Sequence, residues 1–436
     1  MIYHLIGIGG AGMSVVAELL AARGEEVQGS DAMSGTRTAA LQGVGVRVFI
    51  GHDSAHVPEN ATVVVSTAIA ESNPELAIAR ARGQRVIHRS EALSLAADGL
   101  DFVAVAGSHG KTSTTAMIAF GLMQAGRDPS FAIGGTLSGS GQGARLGGGS
   151  MFVAEADESD GSFLNYAPSI AVVTNIERDH PEKYRTDSEF EEVFEEFARR
   201  IVPGGLLVVC ADDGAAARLA ESSPARVVRY GQTVEPVGDD LQLAGSTVRG
   251  EGWELPLTLP VPGTHNRLNA LAAIAVAREL GVEPVGMVGA LERFPGTGRR
   301  FETRGTRQGV TVIDDYAHHP TEIAATIASA RQTARGRVLV LFQPHLYSRT
   351  ESFASDFARA LDLADDVIVT AIYRSREEPR ELTSEIITDQ MERGEYVEDQ
   401  VAAAQELASR ARGGDIVLTV GAGSVTEMAS VVLESL

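Results

Sequence analysis

The stretch that most restricts the fold is Asp101-Phe-Val-Ala-Val-Ala-Gly-Ser-His-Gly-Lys-Thr-Ser-Thr114. Phe102 to Ala106 is an unbroken apolar run, as a strand covered on both faces requires. Gly107 ends it, and a helical pattern starting near Lys111 carries Met117, Phe120 and Leu122. A strand passed through a glycine turn into a helix points to an α/β fold with a parallel sheet. The same turn builds an anion cradle. Backbone N–H groups and the helix N-terminus converge, Lys111 adds a full positive charge, and Thr112 offers an oxygen to Mg²⁺. The common phosphate loop has four residues between its glycines; here Gly107 and Gly110 enclose two, and Val105 stands where the first glycine would fall. Taken alone, the stretch also suits a plain strand-to-helix turn with a surface lysine.

At 436 residues the chain exceeds one hydrophobic core, and length predicts roughly three domains. A formal charge of −21, from 37 basic and 58 acidic residues, argues against nucleic acid or an anionic membrane as partner. The single cysteine, Cys210, lies in the apolar run Leu206–Cys210 and reads as small core filler. No apolar run approaches a membrane span, and the N-terminal residues read as a strand entering a turn. The expectation is a cytoplasmic protein without membrane insertion.

Residues 1–95 alternate short apolar runs with helical patterns. Gly7-x-Gly9-x-x-Gly12 precedes a helix around Met13–Ala22, and Asp31 follows Gly12 by 19 positions. By pattern this is a dinucleotide fingerprint, which makes an NAD-dependent oxidoreductase one hypothesis. The turn equally suits any pyrophosphate, and nothing downstream suggests hydride transfer. Strands at Val46–Ile50, Thr62–Ser66 and Gln84–Ile87 complete a small doubly wound unit.

Residues 96–297 form a larger α/β unit. The Gly/Ser-rich stretch 138–150 predicts a flexible loop. The strand Met151–Ala154 discharges into Glu155-Ala-Asp-Glu158-Ser-Asp160, four carboxylates in six residues. Such a cluster is costly unless it is solvated or meets a cation. Ile170–Thr174 is a strand ending in Asn175-Ile-Glu-Arg-Asp179-His180. An acidic helix over 188–200 and the strand Leu206–Cys210 precede a β-rich region, with strands at Val227–Tyr230, Leu241–Val248 and Leu255–Leu259. His265, Asn266 and Asn269 open an alanine-rich helix over 267–280, where the asparagines suit either caps or ligands of a nucleotide base. Residues 298–436 form a third unit with strands Val310–Ile313, Arg337–Phe342, Asp366–Thr370 and Asp415–Val420. Two of these end in polar clusters, Asp314–Glu322 and Gln343–Arg349, at the strand ends where open α/β sheets bind ligands.

These motifs, in this order, carry a resemblance: Gly7-Ile-Gly-Gly-Ala-Gly-Met13-Ser14, Gly107–Thr112, Glu155–Asp160, Thr174–His180, Pro262–Asn269, Arg299-Arg-Phe301, Asp314–Pro320 and Gln343-Pro-His345. The chain resembles the Mur ligases of bacterial cell-wall synthesis, over nearly its whole length. The short glycine spacing is how this family writes its phosphate loop. The resemblance implies three α/β domains: a Rossmann-like UDP-sugar domain, a central P-loop ATPase and a Rossmann-like amino-acid domain. It implies joining L-alanine to the lactyl carboxylate of UDP-N-acetylmuramate through an acyl phosphate, with ATP and Mg²⁺ (Mn²⁺ serving as well), by a monomer or homodimer. It reassigns the first turn, Gly9, Gly10, Ala11, Gly12, Met13 and Ser14, to the substrate diphosphate, with Asp31, Ser66, Thr67 and Ala68 around the uridine.

The ATP site it implies is Gly107, Ser108, His109, Gly110, Lys111, Thr112 and Ser113, with His265, Asn266, Asn269, Arg300 and Asp315. Thr112 and Glu158 would hold one Mg²⁺, and Glu158 with His180 a second, drawing the γ-phosphate toward the carboxylate. Tyr316, His318, His345 and Arg349 would face the amino acid, with His318 orienting or deprotonating its ammonium. Two departures bear on substrate affinity: Leu346 and Gly143 stand where the family usually has Arg and Asn. The nearest rival is a recycling ligase that adds an intact peptide to the same sugar. A non-catalytic nucleotide-binding regulator fits poorly with the retained Lys111, Glu158 and His180.

Overall fold

In the computed structural model, which describes residues 1–181, 183–375 and 377–436, the chain builds three sheets in succession. The first is parallel throughout, in the order Arg47–Ile50, Glu26–Asp31, Ile2–Ile6, Thr62–Val65, Val86–His88. Ile6 pairs with Ser30, so the Gly7 turn and Asp31 leave the sheet at one edge.

The central sheet has ten strands. Its middle, in spatial order, is Leu206–Cys210, Ile170–Val173, Asp101–Ala106, Met151–Glu155 and Ser130–Ala132, all parallel. Asp101–Ala106 therefore delivers the phosphate loop between the ends of Met151–Glu155 and Ile170–Val173. That order sets the carboxylate cluster on one side of the loop and Asn175–His180 on the other. The helices Lys111–Gln124 and Thr264–Glu279 pack together on one face, where Ala116, Ala119, Ala270 and Ala273 are fully buried. Small side chains there let the two backbones approach closely.

In the third sheet the order is Glu302–Arg307, Val310–Asp315, Ile416–Val420, Val338–Phe342, Asp366–Val369, Glu395–Tyr396. The first strand is antiparallel and the rest parallel. Asp315 and Phe342 both pair with Val420, so both polar clusters and Gly421 emerge at one edge.

The structure departs from the sequence reading in the β-rich region. Leu241–Val248 is not one strand but a hairpin, Leu241–Ala244 and Thr247–Gly250, turning at Gly245 with φ +63°. The strand expected at Leu255–Leu259 lies instead at Trp253–Pro256, paired with Thr247–Gly250. The stretch 138–150 contains a short strand, Ala144–Arg145, paired with Phe131 and Ala132. Among the described residues no helix is long and apolar enough to cross a membrane.

The first domain buries a carboxylate that the sequence reading did not single out. Glu75, fully buried, accepts from His4 Nε2 at 3.1 Å, His56 Nδ1 at 3.2 Å, the Asp53 amide at 3.1 Å and the Ser30 hydroxyl. Gln28 donates to His4 Nδ1 at 3.0 Å, which leaves Nε2 as the proton donor toward Glu75. Burial alone would raise this carboxyl, but the hydrogen bonds from His4 and Ser30 outweigh it and hold the group at about 2. A carboxyl lowered on folding stabilises the native state above its unfolded pKa, and that stability is lost as pH falls through the folded one. Glu75→Gln is expected to cost on the order of 3 kcal/mol at neutral pH and to flatten the decline in stability between pH 4.5 and about 2. Urea melts of both proteins across that range test this; parallel curves would count against it.

Candidate active site

Two glycines explain the short phosphate loop. Gly107 has φ +132°, and a Cβ there would lie 2.1 Å from Thr174 Oγ1. Gly110 has φ +82°, and its Cβ would lie 2.8 Å from Asn269 Oδ1. Side chains at either position would displace the strand end or the helix that close over the loop. The loop is tied to the neighbouring strand end on several sides. Thr174 Oγ1 donates to His109 O at 2.6 Å, the His109 amide donates to Asn175 Oδ1 at 2.9 Å, and Ser108 Oγ donates to Glu177 O at 2.6 Å.

Lys111 Nζ sits inside the turn, donating to Gly107 O at 2.6 Å, Ser108 O at 3.2 Å and Glu158 Oε1 at 2.9 Å. Burial would lower its pKa, but Glu158, Glu155 and Asp157 prevail and raise it, so the ammonium is retained. The carboxylate cluster is divided in its partners. Glu155 Oε2 accepts from Thr112 Oγ1 at 3.0 Å and from the Gly134 amide at 2.9 Å, and burial raises its pKa. Asp157 accepts from Arg89 at 2.8 Å; against the upward push of burial, Arg89 and Lys111 hold it at about 2. Glu158, almost fully buried, lies with Lys111 and 3.6 Å from His180 Nε2. Glu158 and His180 thus converge beside the loop, while the Thr112 hydroxyl faces Glu155 in this arrangement.

Beside the loop lies a cavity of about 250 Å³ that brings together His109, Gly110, Ser113, His265, Asn266 and Asn269. Arg300 and Asp315 reach it from the third domain. Burial lowers His265 to about 4 and raises Asp315 to about 6. Asp315 accepts the Phe301 amide at 2.7 Å and the Ala317 amide at 2.8 Å, which fixes the carboxyl where the third domain meets this cavity.

A second cavity, of about 420 Å³, is shared by all three domains. Lys111, Thr112, Glu158 and His180 line it from the centre, Tyr316, His318, His345 and Arg349 from the third domain, and Ala11 and Gly12 from the first. Burial lowers His318 to about 3, leaving a neutral imidazole. Arg349 is only 2% exposed, and much of its guanidinium is committed to Asp179. Nε donates to Oδ1 at 3.0 Å, and Nη2 to Oδ1 and Oδ2 at 2.8 and 3.0 Å. Its Nη1 lies 3.4 Å from His345 Nδ1.

The first glycine turn lines a third cavity, of about 510 Å³, through Gly9, Gly10, Ala11, Gly12 and Met13. Asp31, Ser66 and Ala68 face the same space. Two expected residues do not line it. Ser14 Oγ donates back to Ala11 O at 3.2 Å, and Thr67 Oγ1 is directed at Asp160 Oδ2, 3.4 Å away. Asp31 accepts the Gly9 amide at 2.8 Å, so it closes the turn on itself.

Arg89, Asp179 and Glu322 were not singled out from sequence. Arg89 lines both the 420 and the 510 Å³ cavities. Glu322 lines both the 250 and the 420 Å³ cavities and pairs with Arg300 at 3.6 Å and His318 at 3.3 Å. A basic residue opening a helix directly after a strand was the available signal for Arg89.

Three descriptions of one family match successive parts of the chain. "Mur ligase family, catalytic domain" matches residues 2–100, "Mur ligase middle domain" 105–277, and "Mur ligase, glutamate ligase domain" 299–423. The UDP-N-acetylmuramate–L-alanine ligase of Renibacterium salmoninarum is 51% identical over 443 residues, covering 99% of this chain and 95% of that protein. Among solved structures, the UDP-N-acetylmuramate–alanine ligase of Thermotoga maritima covers 100% of this chain and 98% of its own, with a TM-score of 0.79 at 30% identity. The murein peptide ligase of Psychrobacter arcticus has the same coverage, with a TM-score of 0.73 at 26% identity.

Proposed function

The chain belongs to the Mur ligase family, and on that premise we propose the reaction its cavities serve. It is an ATP-dependent ligase that joins L-alanine to the lactyl carboxylate of UDP-N-acetylmuramate, in peptidoglycan precursor synthesis. The observation that carries this reading is the 420 Å³ cavity, where the phosphate-loop lysine, the first glycine turn and the imidazoles of the third domain share one space.

A carboxylate needs a leaving group before an amine can displace its oxygen. ATP supplies it: the γ-phosphoryl passes to the lactyl oxygen with ADP leaving, the alanine ammonium gives up a proton, its free amine attacks the acyl carbon, and phosphate and a second proton depart as the amide forms. We assign the UDP-sugar to residues 1–95, ATP to 96–297 and the amino acid to 298–436. Gly9–Met13 hold the diphosphate, which extends the lactyl group toward Lys111. Lys111 neutralises the phosphates, and His265, Asn266 and Asn269 bound the nucleotide. Arg300 and Asp315 complete the ATP site only when the third domain is docked, which keeps water from the acyl phosphate. His318, neutral and half-buried, accepts a hydrogen bond from the alanine ammonium and orients it.

Magnesium fits the donor set. Glu158 is a buried carboxylate, its Oε2 2.8 Å from Lys111 Nζ, and His180 and Thr112 line the same cavity. Thr112, Glu158 and His180 would hold the ion, whose charge offsets that of the phosphates when bound. The setting of this chemistry is the cytoplasm.

Phosphate release measured with ATP, Mg²⁺ and UDP-N-acetylmuramate, offering L-alanine, glycine, L-serine or a tripeptide, tests the reading. L-alanine is expected to give the highest kcat/KM. Turnover with the tripeptide alone would instead assign the recycling reaction.

A further inference from the structure

At the seam between the central and third domains, apart from Glu158 and His180, three side chains converge: His109, Glu177 and His319. Their ligating atoms all lie within 4.8 Å of one another. His109 Nε2 is 3.0 Å from Glu177 Oε2, and His319 Nδ1 is 4.0 Å from the same oxygen. The rings of His109 and His319 lie 4.6 Å apart.

The surroundings are built as a metal's outer shell is built. His109 Nδ1 faces Glu322 Oε1 at 3.3 Å, the carboxylate–histidine arrangement that fixes a ligating imidazole's tautomer and raises its basicity. Glu177 Oε1 accepts the Thr321 hydroxyl at 2.7 Å, which leaves Oε2 to the two rings. His319 is 2% exposed, and the lone pair on its Nδ1, the nitrogen that faces Glu177, accepts the Thr321 amide over 3.4 Å in the metal-free chain, a long contact that a cation would displace. Its Nε2 is buried with no hydrogen-bond partner among the described residues, so no competing acceptor draws the ring toward another tautomer.

We propose that His109, Glu177 and His319 form a second divalent-cation site, for a borderline transition metal such as Zn²⁺ or Co²⁺, with one coordination position open. Two imidazoles and one carboxylate are the donor set such ions take, whereas Mg²⁺ takes mainly oxygen, as Thr112, Glu158 and the nucleotide phosphates would supply at the loop. In the metal-free chain, Glu177 and Glu322 outweigh burial and hold His109 protonated, up to about 9. The cation replaces the proton on His109 Nε2, while Nδ1–H stays with Glu322, so binding releases one proton and weakens in acid. Because His109 and Glu177 belong to the central domain and His319 to the third, the bound ion clasps the two together beside the nucleotide cavity.

The test titrates the full-length chain, stripped with a chelator, with Co²⁺, following visible d–d absorption and bound metal after dialysis. One equivalent is expected. His319→Asn keeps a helix-capping acceptor and Glu177→Gln keeps the Thr321 hydrogen bond, yet each removes a ligand and is expected to weaken binding at least about tenfold. His180→Ala is expected to retain the Co²⁺ band. No binding by the unmodified chain, unchanged affinity in Glu177→Gln and His319→Asn, or loss of the band in His180→Ala alone would overturn the site.

Discussion

Lys111→Ala is expected to reduce ligation at least about 10³-fold, on the order of 4 kcal/mol in transition-state stabilisation. Its ammonium donates to two loop carbonyls and to Glu158 inside the turn, where the proposed reading brings the β- and γ-phosphates. Lys111 is the positive charge held inside the turn, whereas the His109 imidazolium is taken up by Glu177 and Glu322, and phosphoryl transfer depends on positioning and charge neutralisation more than on covalent help from the protein. UDP-sugar affinity is expected to stay within about twofold, because Gly9, Gly10 and Met13 of the first glycine turn line a cavity that Lys111 does not. Calorimetric titration with the sugar nucleotide, beside a phosphate-release assay, separates the two effects. Ligation at the unmodified rate would refute the phosphate-cradle assignment; loss of sugar binding would show that the lysine serves both cavities.

Arg349→Ala is expected to have the largest effect on stability. It leaves Asp179, 3% exposed, as an uncompensated charge, and breaking a buried pair by removing one partner costs roughly 3–5 kcal/mol. Burial would raise the Asp179 carboxyl, but Arg349 first, with neighbouring histidines, holds it far below the ordinary carboxylate range. Arg349→Lys keeps the charge but loses the planar fork that engages both oxygens, so it is expected to recover only part of the loss. Replacing both partners with apolar residues is expected to cost less than the single substitution, as the double-mutant cycle would record. Because the pair links the central and third domains, the melting transition of Arg349→Ala is also expected to separate into two. A single transition at the unmodified temperature would show that the pair holds nothing together.

The strands that carry the motifs were legible because they are buried on both faces: five apolar residues in a row, as in Leu206–Cys210, admit few other readings. Edge strands gave no such signal. Glu302–Arg307 is a polar, partly exposed run held by one neighbour, and its pairing with Val310–Asp315 comes from the sheet rather than from its own side chains. The hairpin at Gly245 was read as one strand although the apolar alternation changes phase at the turn, from Leu241 and Leu243 to Val248. Within the site, loops beside the phosphate turn could be inferred from strand order. Pairings between distant residues could not: that Arg349 engages Asp179, 170 positions away, has no mark in either stretch. Likewise Thr112 was expected beside Glu158, and its hydroxyl instead meets Glu155. Which of several adjacent carboxylates reaches a given hydroxyl depends on where the turn directs each side chain, and the spacing of letters does not carry that.

Arg89 forms a wall of both the cavity at the first glycine turn and the cavity at the phosphate loop. For a ligand the two spaces are therefore neighbouring compartments of one binding surface. A compound that places one anionic group on the Gly9–Met13 turn and a second beside Lys111 would make its second contact intramolecularly, at an effective concentration set by the short tether between them. Each half alone would bind weakly; joined across a single guanidinium, they would gain in avidity without any new contact. That makes this junction the most economical place on the molecule at which to intercept it.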